Sequence, residues 1–375
     1  MAFDWSRVGS APSPDEIEVT LIGPGFGESI VVHVGRGCWI VVDSCVDSMS
    51  SDTTPAPLNY LHHIGVNCRE QVQLVVATHW HEDHVKGISQ LVSSCESADF
   101  CCASALTSPE FLTYLAANDA EGSVDGSSKP QEFFDALQIV KRRRQVVRLA
   151  MAGNELSTFT DASHKIFGKV VALSPSHAEV ARFMQWIGKE MPSTRKRERN
   201  TYTKNPNELS VVVQVLCGDD SILLGADMVV TNDVQRGWKA VMQEHRRLVL
   251  PQSNVVKVPH HGSENAHFQN MWNDGCHADR IALVAPYARG GIENRPPKLS
   301  DIQRILKNSP RSYITAPPRA KRAKFEPAVE RTITEGFINV TNATQALGMV
   351  RVRKEANGSW VEQLFPPAIE LSKAA

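Results

Sequence analysis

The run Thr78-His79-Trp80-His81-Glu82-Asp83-His84 follows directly on the apolar stretch Val72-Gln73-Leu74-Val75-Val76-Ala77. A short run rich in β-branched residues and ending in a polar cluster reads as a buried strand that delivers its last residues to a strand end. The imidazoles of His79, His81 and His84 and the carboxylate of Asp83 form at that point a dense set of nitrogen and oxygen donors, the kind that zinc and other borderline divalent ions take. In a turn, His79 and His81 can reach one ion while Asp83 and His84 reach its neighbour.

Working outward, residues 17–21 alternate apolar with polar, and residues 29–34 and 38–42 are rich in β-branched side chains around a glycine turn at 35–37. Helical spacing is expected over about 56–64 and 85–92, and further strands over 170–173, 209–216, 221–224, 255–258 and 281–284. Strands and helices interleave throughout, which predicts an α/β layered fold. Residues 349–365 read as a hairpin turning at Asn357-Gly358. Two stretches fit the core poorly. Residues of about 104–165 read as a mostly helical insertion containing the basic end Lys141-Arg142-Arg143-Arg144, and about 191–206 as a polar loop carrying Arg195, Lys196, Arg197 and Arg199.

Composition narrows the class. The 375 residues can bury a core, and a formal net charge of -1 gives no whole-molecule reason to bind nucleic acid or membranes. No stretch approaches the roughly 18 apolar residues of a membrane span, and the first fifteen residues lack a basic segment followed by an apolar run. The expectation is a soluble, cytoplasmic protein. Eight scattered cysteines without a C-x-x-C pair are expected to be reduced and mostly buried. Cys45 has no local pattern of an activated nucleophile, and the glycines at 23, 25 and 27 lack the lysine and helix of a phosphate-cradling loop.

Residues 78–84, followed by Gly87, resemble the T-H-x-H-x-D-H motif of the metallo-β-lactamase superfamily. Three companions resemble its other motifs in order: Asp43 closing Trp39-Ile40-Val41-Val42, Asp227 in Leu223-Leu224-Gly225-Ala226-Asp227, and His260-His261 in Val258-Pro259-His260-His261-Gly262-Ser263. The resemblance implies an αββα sandwich as one domain over 1–375, with the core at about 17–318 and an extension at about 319–375. It also implies two divalent ions, zinc or manganese, held by His79, His81, Asp83, His84, Asp227 and one of His260 and His261. Asp43 would orient the histidine turn and Asp227 would bridge the ions. Between the paired histidines, strand parity with Val256 and Val258 favours His260.

More narrowly, Gly25-Phe26-Gly27-Glu28-Ser29-Ile30, Asn207-Glu208-Leu209-Ser210-Val211 and His260-His261-Gly262-Ser263 resemble motifs of the metallo-β-lactamase-like domain of ComEC-type DNA-uptake proteins and their soluble relatives. Two departures stand out. Asn207 occupies the place of the third-motif histidine, with His164 and His177 as available substitutes, and Asn294-Arg295-Pro296-Pro297 stands where the relatives carry G-H-P. The implied chemistry is hydrolysis by a metal-bound hydroxide, with Asp83 and Asp227 in the catalytic set. The basic runs at 141–144, 195–199 and 319–324 suit a nucleic acid or nucleotide phosphodiester as substrate. A small ester, lactone or β-lactam is the alternative substrate, and a metal-stabilised regulatory subunit without catalysis is the alternative class, kept open by Asn207.

Overall fold

The computed structural model describes residues 2–23, 27–113, 129–190, 206–287, 295–318, 346–355 and 358–374. The basic residues Arg195, Lys196, Arg197 and Arg199, the run 319–324, Pro24 to Phe26, Asn294 and Asn357 lie outside them.

Among the described residues the chain forms sixteen strands. They are β1 (Ile17–Gly23), β2 (Ser29–His33), β3 (Trp39–Val42), β4 (Val72–Ala77), β5 (Asp99–Ala103), β6 (Arg148–Ala150), β7 (Glu155–Thr160) and β8 (Ile166–Ala172), followed by β9 (Val213–Cys217), β10 (Asp220–Leu224), β11 (Ser253–Lys257), β12 (Cys276–Val284), β13 (Ser312–Ile314), β14 (Gly348–Lys354), β15 (Val361–Phe365) and β16 (Ile369–Glu370). They build two sheets of eight, in the orders β15-β14-β1-β2-β3-β4-β5-β6 and β16-β13-β12-β11-β10-β9-β8-β7.

Alternation along the strands explains the layering. In the second sheet Ile222, Leu224, Val255, Ile281 and Leu283 join the main core, which they share with Val19, Leu21, Val31 and Val75 of the first sheet. Their neighbours Leu223, Val256, Ala282 and Val284 face the opposite way, onto Trp238, Met242, Trp272 and Ile305. Those four belong to the helices Gly237–Arg247, Gln269–Asp274 and Leu299–Asn308. Parallel strands covered on both faces are apolar almost without interruption, because a helix layer lies behind them. The result is the expected α/β sandwich of two packed sheets, consistent with the metallo-β-lactamase fold.

The two sheets share one pattern. Each passes from antiparallel pairing into parallel pairing, at β3–β4 in the first and at β10–β11 in the second. Asp43 follows β3 and the histidine run follows β4; Asp227 stands after β10 and His260-His261 after β11. Corresponding strand ends of the two sheets therefore deliver the chemistry, which is why residues 200 positions apart can meet.

Some sequence expectations need correction. The helix of the 104–165 stretch is Lys129–Arg142, but beyond it the chain returns to strands, β6 on the first sheet and β7 on the second. Short strands of mixed polarity such as Arg148–Ala150 carry little alternation to betray them. Arg143 of the basic run is structural: its guanidinium donates to Val92 O at 2.9 Å and Ser93 O at 2.7 Å. The helix expected over 85–92 is two pieces, Glu82–Val85 and Ile88–Ser94, separated at Gly87 with φ 80°. All eight cysteines are free, six of them buried. No described helix is long and apolar enough to cross a membrane.

The terminal hairpin is not an appendage. β14 pairs with β1 along its whole length, from Ile17↔Lys354 to Gly23↔Gly348, and so extends the first sheet. A Cβ on Gly348 would collide with the Thr315 carbonyl oxygen, in the segment just after β13 of the other sheet. Backbone cannot yield as a flexible side chain does, so we expect Gly348→Ala to destabilise the protein by about 3 kcal/mol, the upper end of common overpacking penalties. Thermal or denaturant unfolding checks this, and an unchanged melting temperature would mean that the hairpin is only loosely seated.

Candidate metal centre

Asp43 sets the geometry of the histidine turn. It sits at the end of β3 with φ 61°, a left-handed conformation unfavourable for a residue with a side chain. From there its carboxylate accepts three hydrogen bonds: from the Thr78 N–H at 2.7 Å, from the Thr78 hydroxyl at 2.7 Å and from His84 Nδ1 at 2.7 Å. Thr78 Oγ1 in turn lies 3.0 Å from His79 Nδ1. Both rings are thereby held by Nδ1 and turn Nε2 inward, the arrangement in which a second partner fixes the tautomer of a ligating histidine.

The same logic recurs across the site. His261 Nδ1 lies 3.1 Å from the Ala285 carbonyl, and its Nε2 stands 3.3 Å from Asp83 Oδ2 and 3.6 Å from Asp227 Oδ2. His260 Nδ1 lies 2.9 Å from Asn265 Oδ1, and its Nε2 is 3.1 Å from Asn207 Nδ2 and 3.9 Å from Asp227 Oδ2. Strand parity does not carry to these rings. β11 ends at Lys257, and both histidines sit in a tight turn at φ 48° and 55°. It is His261 that joins Asp83 and His84, whereas His260 faces Asn207.

Two groups of donors converge on Asp227. Asp83, His84, Asp227 and His261 offer ligand atoms within 4.8 Å of one another, and so do His79, His81 and Asp227. His84 Nε2 is 3.4 Å from Asp227 Oδ1, and His79 Nε2 is 4.0 Å from Asp227 Oδ2. His79 Nε2 and His81 Nδ1 are 3.0 Å apart, close to the roughly 3.3 Å between two nitrogens on one tetrahedral zinc. His84 Nε2, His261 Nε2 and Asp227 Oδ1 are buried without a hydrogen-bond partner among the described residues. Buried polar atoms are rarely left so, and a cation between the groups would satisfy all three. The donors fit divalent metal, and the structure thus has a candidate metal-binding cluster.

Charge separates the two groups. Burial, with the neighbouring rings, holds His79 well below its ordinary value, and burial also lowers His81 and His260. Burial would lower His84 and His261 too, but the carboxylates outweigh it. Asp227, Asp83 and Asp43 raise His84 well above the ordinary range, and Asp227, Asp83 and Glu28 push His261 up to about 10. Asp83 is held low by His84 and His261 against the upward push of burial.

Two charged residues at the site were given no role in the reading of the sequence. Lys257 and Glu28 are both buried and paired with each other, and Glu28 Oε2 lies 3.7 Å from His261 Nδ1. The available signal was a lysine inside the apolar strand Val255-Val256-Lys257-Val258. Trp80 also has a structural part: it packs against Phe111 and Phe183, tying the histidine turn to the helix His177–Glu190. His164 and His177 are exposed and lie outside both donor groups.

A fold of two sheets with helices outside, carrying its donors at the ends of β3, β4, β10 and β11, defines a metallohydrolase-type αββα protein. The profile of the Metallo-beta-lactamase superfamily matches residues 22–270, and the chain belongs to that superfamily, whose members are mostly hydrolases. No curated protein matches the chain. Among solved structures it is similar to the metallo-beta-lactamase fold protein YhfI from Bacillus subtilis (12% identity, 65% of this chain and 70% of that one, TM-score 0.33). It is likewise similar to the hydrolase AbOPH of the beta-lactamase superfamily (14%, 63% and 83%, TM-score 0.36) and to the β-hydroxylase CmlA (14%, 66% and 36%, TM-score 0.32).

Metal uptake has a pH signature in this arrangement. An ion entering the Asp83–His84–His261 group must displace protons from two imidazoles, whereas His79 and His81 are already neutral. We expect filling of the Asp83–His84–His261 group at pH 7 to release close to two protons and to weaken steeply on acidification. Calorimetry in buffers of different ionisation enthalpy reads this directly, and metal binding without proton release would contradict it. The sign for stability is the reverse. In the metal-free protein the raised His261 contributes stability in full below about pH 6.5, its unfolded value, and loses it as pH rises through about 10.

Proposed function

We propose that the protein is a metal-dependent hydrolase acting on a phosphodiester, nucleic acid or nucleotide. The observation that carries the hydrolytic part is Asp227, one of whose oxygens faces His84 while the other faces His79, His260 and His261. A carboxylate so placed is shared by both donor groups and with them would hold two divalent ions, zinc or manganese. Bound there, such a pair would supply a water acidic enough to ionise near neutral pH and a positive field for the oxygen on which charge develops.

The chain's own residues divide the remaining work. Asp43 fixes His84 and, through Thr78, His79. Asp83 would serve the second position together with His84 and His261. His260 and Asn207 together flank the first position, where the superfamily places a third-motif histidine; the His260 side chain is 20% exposed, so a substrate can reach this side. On this reading His260 is the residue that meets the substrate and Asn265 fixes its tautomer.

For the substrate, the support is local charge and resemblance. The residues Arg195, Lys196, Arg197 and Arg199 belong to the segment that leads directly into Asn207, and a phosphate is the group that such a cluster recognises. The similarity of residues 207–211 and 260–263 to the ComEC-type domain points the same way.

Two experiments test this. Asp227→Asn keeps the shape of the side chain but removes the charge. We expect it to lower kcat/KM on a generic phosphodiester by at least about 10³-fold at saturating metal, with the fold retained by circular dichroism. Unchanged turnover would rule out a shared carboxylate. Replacing the four basic residues together by Gln should weaken binding of a single-stranded oligonucleotide and lower the slope of log K against log salt by about 3, since fewer counterions are released. Equal affinity and slope would remove this cluster from the substrate site.

A further inference from the structure

Glu28 and Lys257 come from different sheets and meet under the metal centre. Glu28 leads into β2 and is 1% exposed; Lys257 is the last residue of β11 and is 0% exposed. Their carboxylate and ammonium are in direct contact. The ammonium also lies 3.8 Å from Asp227 Oδ1, the same oxygen that faces His84 Nε2. It also donates to the Ala226 carbonyl at 3.0 Å, which independently accepts the His260 N–H at 2.9 Å.

An ammonium buried this close to Asp227 competes with any other cation for it, because a charge out of water takes the nearest opposite charge. The outcome depends on whether Lys257 has a better partner. Glu28 is placed to be that partner, and its position is tied to the histidine turn. Its N–H donates to the Asp83 carbonyl at 2.9 Å, and Gly27 before it, at φ 98°, approaches the same backbone so closely that a Cβ would sit 2.9 Å from Asp83 O.

We infer that Glu28 is a positioning residue that holds the Lys257 ammonium off Asp227 and so leaves Asp227 Oδ1 available to a divalent cation. The inference rests on the reading of the site as a metal centre and gives Glu28 a part that acts through Lys257; Glu28 also stands with Asp43 and His84 in a group of donors within 4.8 Å of one another, and the double variant below separates the two roles. Lys257 has a task of its own, bracing the left-handed turn at Ala226 (φ 45°) from which Asp227 projects, and the His260 N–H shares that task. Removing the lysine therefore does not leave the Ala226 carbonyl without a donor.

The test is titration of the metal-free full-length protein with zinc or cobalt(II) against a chromophoric chelator, with stoichiometry from elemental analysis and folding from circular dichroism. Glu28→Gln frees Lys257 to pair with Asp227 and should weaken metal binding at least about ten-fold, the scale of effects from groups behind a ligand. Adding Lys257→Met to that variant should bring affinity back to within about three-fold of the native protein. A pair that merely packs the two sheets together predicts the opposite: a double variant no better than Glu28→Gln, which overturns the inference, as does native-like affinity in Glu28→Gln. Lys257→Met alone should bind metal at least as tightly as the native protein. A ten-fold loss there overturns the inference even if Glu28→Gln does not fold. Native protein that takes up neither metal would overturn the metal centre itself, and this inference with it.

Discussion

Glu28, Asp43, Asp83 and Asp227 are all buried around the same few imidazoles, and that much negative charge cannot be kept out of water without positive charge among it. The site answers the constraint in layers. Lys257 pairs with Glu28, Thr78 and His84 give Asp43 its hydrogen bonds, and Asp83 and Asp227 stand against His84 and His261, raising both imidazoles above their ordinary range. Everything else at the centre, including the left-handed turns and the ring orientations, keeps these opposite charges in register.

Backbone strain marks the same places. Asp43, Ala226, His260 and His261 all have positive φ, and all lie just past a strand that delivers a donor or in the turn that follows. A residue with a side chain held in that conformation costs of order 1–3 kcal/mol, and such costs persist where the surroundings over-determine them. Here the surroundings are two sheets whose cores are nearly unbroken Val, Ile and Leu, which can carry the strain at their ends.

The fold and the donors were legible in the sequence for different reasons. Val72 to Ala77 shows as a strand because its run is short, apolar and β-branched. His79, His81, Asp83 and His84 show because four donors in six residues have little other use. Asp227 and Asp43 became readable only beside that cluster, since an aspartate ending a strand is common. The choice between His260 and His261 was not legible, because strand periodicity stops at Lys257 and the turn that follows has no period. Arg148 to Ala150 and Glu155 to Thr160 were hidden by their mixed polarity. Glu28 and Lys257 were hidden for a different reason: a charged residue in an apolar strand is legible as an anomaly, but its partner lies on another sheet and no local spacing joins them.

The placement of β14 bears on how the chain acquires this structure. β1 takes β2 on one side, which arrives within a few residues, and β14 on the other, so Ile17 must wait for Lys354. Contacts between residues so far apart in the chain form late and slowly. Until they do, the outer edge of β1 is an open row of backbone donors and acceptors, the kind of edge onto which a second chain can add. On a ribosome the strands that carry the histidine turn are finished long before that edge is closed. The nascent protein therefore passes through a stage in which its metal donors are already synthesised while its first sheet is still adhesive, and its yield on overproduction should depend on how quickly the last hairpin docks.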